Sequence, residues 1–137
     1  MLKSPEAVLL RALLAAPAVA LLVGRKVYAV MAPQSATYPF IVYRRTSIDR
    51  EQTLGSPMGV PRVSVEYQVF AGSYEAAREV ADAVRAALDG YGGSALGCTV
   101  SQTSLEAEAD DFVTLQGGDL PPAYQITMTF DTWWQES

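Results

Sequence analysis

Apolar and polar residues alternate most regularly near the middle of the chain, where Ser64, Glu66 and Gln68 separate Val63, Val65, Tyr67 and Val69. A period of two predicts a strand with one buried and one wet face. The period then changes. Ala77, Val80, Ala81, Val84 and Leu88 form one apolar stripe at helical spacing, opposite Glu75, Arg78, Glu79, Asp82 and Arg85. With Ser73 as N-cap and Gly90 as terminator, this predicts an amphipathic helix whose alanine-rich face sits close to a sheet. Its charges, with Glu75/Arg78 and Asp82/Arg85 three residues apart, read as a solvated face.

The same pattern extends outward in both directions. Towards the N-terminus, Phe40 to Thr46 is dense in aromatic and β-branched residues and predicts a strand, and Val27 to Val30 predicts a short extended piece. Leu9, Leu10, Leu13 and Leu14 are helix-spaced behind Pro5, with Ser4 as N-cap. Pro17 restarts a short turn that Gly24 stops. Towards the C-terminus, Gly92-Gly93 reads as a flexible join to a strand from about Cys98 to Leu105. Tyr124, Ile126, Met128 and Phe130 then alternate with Gln125, Thr127, Thr129 and Asp131 in a last strand ending in Trp133-Trp134. The fold class that follows is α+β. It is a single domain, residues 1–137, with a mainly antiparallel sheet, two principal helices packed on one face and long inter-strand loops.

Two connections, Asp49–Pro61 and Ala107–Ala123, are long for so small a domain, and such loops are functional or disordered. The first carries Leu54, Met58 and Val60, apolar groups that cover either this chain's own core or a neighbour's surface. The second alternative gives the segment a role in self-assembly, and on it Ile48 to Met58 is the candidate inter-subunit arm, with Ile48, Asp49, Arg50, Leu54 and Met58 as candidate interface residues. The N-terminal apolar run to Val23, with Ala18-Val19-Ala20, imitates a signal peptide. Glu6, Arg11 and Pro17 interrupt it, so a core helix is the expected reading and an exported protein a weaker one.

Composition narrows the chemistry. Ten Lys and Arg stand against fifteen Asp and Glu, a formal net charge of −5, and no basic run tracks a phosphate backbone. The chain has no His and a single cysteine, Cys98, which excludes the Ser-His-Asp and Cys-His arrangements, most zinc sites and an internal disulfide. Cys98 reads as a half-buried strand residue. Glu106, Glu108, Asp110 and Asp111 are the only concentrated titratable group. They lack the spacing of a calcium loop and read as a solvated edge that discourages pairing with another sheet. For the Trp pair, one ring is expected in the core and the other at a protein interface. No catalytic set, cofactor site or metal site is expected, and the chain reads as a non-enzyme.

The ordered set of segments resembles the tail-completion (tail-terminator, or tail-to-head joining) proteins of long-tailed phages and gene transfer agents. The segments are the apolar first helix, Leu21-Leu22-Val23-Gly24-Arg25-Lys26-Val27-Tyr28, Ala32-Pro33-Gln34, Tyr38 to Tyr43, and Val63 to Ala71 leading into Tyr74-Glu75-Ala76-Ala77. The helix end Ala81 to Gly90 and the closing Tyr124 to Trp133 complete the set. Ala16 stands where a capping Asp is usual. The resemblance implies a structural virion protein forming a ring, usually hexameric, that terminates the tail tube and joins it to the head connector. A head–tail connector (neck) subunit or another small assembly module is the alternative. Implied partners are other copies of itself, the tail tube protein and the connector, with DNA only as a passing polymer and no membrane. The implied location is the head-proximal end of the virion tail, reached from the host cytoplasm. In such a ring Glu106, Glu108, Asp110 and Asp111 are candidate channel-lining acids.

Overall fold

The computed structural model describes residues 5–33, 35–49, 62–95, 97–113 and 122–136, the side chains at 47–49 and 136 excepted. Helices α1 (Pro5–Ala15) and α2 (Pro17–Val23) precede strands β1 (Val27–Ala29), β2 (Phe40–Asp49) and β3 (Arg62–Ala71). Helix α3 (Tyr74–Leu88) follows, then β4 (Gly93–Ala95), β5 (Cys98–Val113) and β6 (Ala123–Glu136). One six-stranded sheet has the order β1-β2-β3-β6-β5-β4. Every pairing is antiparallel except β1 with β2, where Val27 to Ala29 lie beside Ile41 to Tyr43. The α+β expectation holds.

Alternation in β3 does what its spacing predicts. Val63, Val65, Tyr67 and Val69 are buried, and they share one core with Val80, Ala81, Val84 and Leu88 of α3 and with Ile126, Met128 and Phe130 of β6. Each such side chain taken from water contributes about 1.5–3 kcal/mol before entropy is counted. Ser73 caps α3 by accepting a hydrogen bond from the Ala76 N–H at 3.1 Å. Gly90, at φ 81°, turns the chain out of the helix and donates its N–H to the Thr103 carbonyl, fixing the helix end to β5. At Gly92 a Cβ would lie 3.0 Å from the Ser101 carbonyl oxygen, so this crossing requires its small residue.

The N-terminal run is a pair of core helices, bent by 81° at the break before Pro17. Val8, Leu9, Leu13, Val19 and Val23 enter the same core as α3. Ala16 occupies the N-cap of α2 and supplies no side-chain hydrogen bond, the cost of lacking an Asp or Ser there. Among the described residues no single helix is long and apolar enough to cross a membrane. Ser4, the expected cap of α1, lies outside the described residues.

Four expectations need correction. Strand β5 runs through Val113 and does not stop near Leu105, so Glu106, Glu108, Asp110 and Asp111 lie within a strand. Strand β6 supplies partners from Cys98↔Glu136 to Val113↔Ala123, which offsets the poor strand propensity of four acids. Strand β2 likewise continues past Thr46 to Asp49, across a register shift between Arg45 and Ser47. Gly93 is no flexible join, since β4 pairs with Cys98 to Val100 as a short hairpin. Cys98 itself is fully buried.

Candidate assembly surfaces

Helices cover one face of the sheet. On the other face, β2, β3 and β6 present Arg44, Glu66, Gln68, Ser64, Thr127, Thr129 and Asp131. Cross-strand pairs hold this face together. Arg44 meets Glu66 at 3.4 Å, Ser64 donates to Asp131 at 2.6 Å, and Arg62 stands 3.8 Å from Asp131. Each contributes only tenths of a kcal/mol, so together they set register more than stability. At one end a second apolar cluster, built on Phe40, Val42, Phe70 and Ala123, is closed by Ala36 with Tyr28, Ala32 and Tyr38. Beside it Val30 takes φ 67°, a left-handed conformation costly for a β-branched residue. Both Val30 and Met31 are largely exposed there.

The outer edge of β5 is the second surface. Strand β4 covers only Cys98 to Val100, and beyond it Gly90 and Asp89 reach Thr103 and Leu105. Among the described residues no strand pairs with the outer edge from Ser101 to Val113. The four predicted acids sit along it, and the fold separates them. Glu106 stands at the register shift between Leu105 and Ala107. Glu108 and Asp110 share the helix-covered face, opposite Met128 and Ile126, whereas Asp111 lies on the other face opposite Gln125.

Glu108 and Asp110 are tied to α3. Arg78 donates from one nitrogen to Glu108 at 2.5 Å and approaches Asp110 at 3.5 Å, while its other nitrogen binds Asp82 at 3.0 Å. The Glu108 hydrogen bond, ahead of the attraction of both Glu108 and Asp82, holds the Arg78 guanidinium above its ordinary pKa. The Tyr74 hydroxyl donates to Asp110 at 2.7 Å, and this bond raises the pKa of Tyr74. Tyr124 adds edge contacts to Tyr74 at 6.0 Å and to Phe112 at 5.0 Å. Sequence reading took Arg78 for part of a solvated face; only the β5 register shows that it faces two acids. Among the described residues no group of three or more His, Cys, Asp or Glu side chains could hold a metal ion.

Of the predicted arm, Ile48 and Asp49 form the end of β2, beside Val63 and Arg62 of β3. Arg50, Leu54 and Met58 lie outside the described residues. The Trp pair divides between the faces. Trp134 is in the core, and Trp133, beside Arg62 and Gln102, is half-buried on the helix-free side.

The outer surface of the helix layer is the third region. Two shallow grooves flank α1, of about 490 and 460 Å³. One is bounded by Ala87, Tyr91 and Ala95, and the other by Leu10, Leu14 and Arg25; Arg11 and Ala15 line both. On the inner side of α1, Glu6 forms a two-pronged ion pair with Arg45 of β2, its second prong 2.9 Å long. That pair joins residues 39 apart in sequence, which no local pattern could reveal.

The described elements thus offer an exposed sheet face, an open strand edge and charged rims. The comparisons with known proteins bear on what these surfaces serve. The model of a family described as tail completion protein gp17 matches residues 7–134, from α1 through β6. The chain belongs to that family. A tail completion protein of this family is a structural protein of the virion tail, in keeping with its lack of His and its buried single thiol. Among solved structures, a chain from the "Virion of native gene transfer agent (GTA) particle" has the same fold. Its TM-score is 0.70 at 18% identity, covering 98% of this chain and 96% of that one. No curated protein matches the tail completion chain.

Proposed function

We propose that this tail completion protein forms a ring, a hexamer by family resemblance, at the head-proximal end of the tail. The ring stops growth of the tail tube and offers its far surface to the head connector. The match of the family model across residues 7–134 carries this reading. The open β5 edge and the helix-free sheet face support it as surfaces for other virion proteins. Ile48 to Met58 is the inter-subunit arm in this account, and β2 delivers its first residues at the sheet margin.

Glu106, Glu108, Asp110 and Asp111 line the channel in the same reading. Seen edge-on, β5 presents acids from both of its faces, and repeated negative charge around a ring lets DNA pass without adhering. Glu106 and Asp111 have no ion-pair partner among the described residues, so no neighbouring cation offsets them as Arg78 offsets Glu108 and Asp110. The ring assembles from copies in the host cytoplasm and stays in the virion.

Removal of the gene during particle production tests the role. The expected products are heads without joined tails, together with tubes of uncontrolled length, both corrected by supplying the protein in trans. Tubes of normal length that merely fail to join heads would instead point to a connector subunit. Normal infectious particles would remove the reading altogether. Replacing all four acids by Asn or Gln should slow DNA delivery, and unchanged infectivity would end the channel assignment.

A further inference from the structure

Charge is distributed unevenly over the helix layer. Every described arginine on the sheet or α3 has a carboxylate partner: Arg44 with Glu66, Arg45 with Glu6, Arg62 with Asp131, and Arg78 and Arg85 with Asp82. Arg11 and Arg25 form no ion pair among the described residues, and both are exposed. They stand together at one groove, flanking half-buried Leu10 and Leu14. The converse holds on α3. Glu75 and Glu79 are exposed one helical turn apart, with no cation on either among the described residues. Like charges at that spacing repel within the helix. In a chain of net charge −5 an unmatched basic groove is not a by-product of overall composition.

We infer that the Arg11/Arg25 groove of one copy seats the Glu75/Glu79 face of the next copy. The inference rests on the ring reading and deepens it by naming the two sides of the contact. Electrostatics selects the geometry. A two-fold contact centred on either patch would set the basic groove against itself, or the acidic face against itself, and like charges would oppose both. A head-to-tail contact joins opposite signs, and its repetition closes into a ring when its rotation allows. Leu10 and Leu14 supply apolar area at the centre of the groove, with the arginines at its rim.

Charge reversal tests this directly. Arg11→Glu with Arg25→Glu makes both sides acidic, and Glu75→Arg with Glu79→Arg makes both sides basic. Each double variant alone should lose ring assembly by about tenfold or more in concentration dependence. An equimolar mixture should regain rings of alternating copies, and the quadruple variant should assemble alone. Rescue in the mixture also shows that both variants are folded. Added salt should weaken wild-type rings, because rim charges are screened beyond a Debye length of about 10 Å at 0.1 M. Wild-type rings with unaffected double variants overturn the inference and leave the ring reading standing; so does failure of the mixture to assemble. A double variant that still forms rings yet no longer binds the tail tube would assign the groove to the tube and also refute the self-contact. If wild-type protein never forms rings, the ring reading fails first.

Discussion

Tyr67 lies at the centre of β3, 1% exposed, with its ring 6.1 Å from Tyr43 and in edge contact with Phe130 at 5.6 Å. Its hydroxyl reaches no hydrogen-bond partner among the described residues. Burying an unpaired hydroxyl costs about 1–3 kcal/mol in protein mutational series. Tyr67→Phe keeps the ring contacts and loses only the dispersion of one oxygen, a few contacts of about 0.1–0.2 kcal/mol each. The variant should therefore be more stable by about 1 kcal/mol, raising Tm by roughly 4 °C for a chain of this size. Alkaline pH should widen the gap. Burial, with smaller contributions from Tyr43 and Glu6, pushes the Tyr67 pKa far above its ordinary value of 10.0. The unfolded chain loses this proton near pH 10 and the folded chain keeps it, so the unfolded state binds fewer protons there. The wild-type contribution is complete below pH 10 and declines as pH climbs, by up to about 1.4 kcal/mol per unit. The Phe variant lacks that decline. Urea unfolding at pH 7 and pH 11, followed by far-UV circular dichroism at a concentration too low for assembly, reads both effects. Destabilisation of 1 kcal/mol or more at pH 7 would refute the reasoning, because it would mean the hydroxyl is bonded.

Two further substitutions test how the layers are joined. Arg45→Met removes the guanidinium from Glu6, whose side chain is 12% exposed. The pair lies between exposed and buried cases, so a loss of about 2–3 kcal/mol is expected, with faster amide exchange concentrated in α1; unchanged exchange in α1 would show that the pair does not anchor it. Ser73→Ala removes the α3 cap and should cost about 1 kcal/mol in chemical denaturation, restored by Ser73→Asp; a loss below about 0.2 kcal/mol would mean the cap bond is replaced by water.

Where one periodicity governed a segment, its structure was legible in the sequence. The α3 stripe, the β3 alternation and the Tyr124–Phe130 alternation all became the core they predict. Strand β5 was only half legible. From Glu106 onward its character comes from partners in β6, and an open edge tolerates the acids that read as loop. The parallel placement of β1 and the Glu6–Arg45 pair depend on contacts distant in sequence. Of the candidate sites, the acidic group was visible as residues, but its division between two faces required the strand register. The unmatched Arg11 and Arg25 become evident only once every other described arginine has found its carboxylate.

Self-association into a closed assembly is the claim on which the functional account rests. Native mass spectrometry of the purified chain across a concentration series, with the same samples viewed by electron microscopy, measures it most directly. The account predicts one dominant closed species of six copies that appears as concentration rises and recedes as salt increases. A single 14.7 kDa species at every concentration, or an isologous dimer that grows no further, would contradict it.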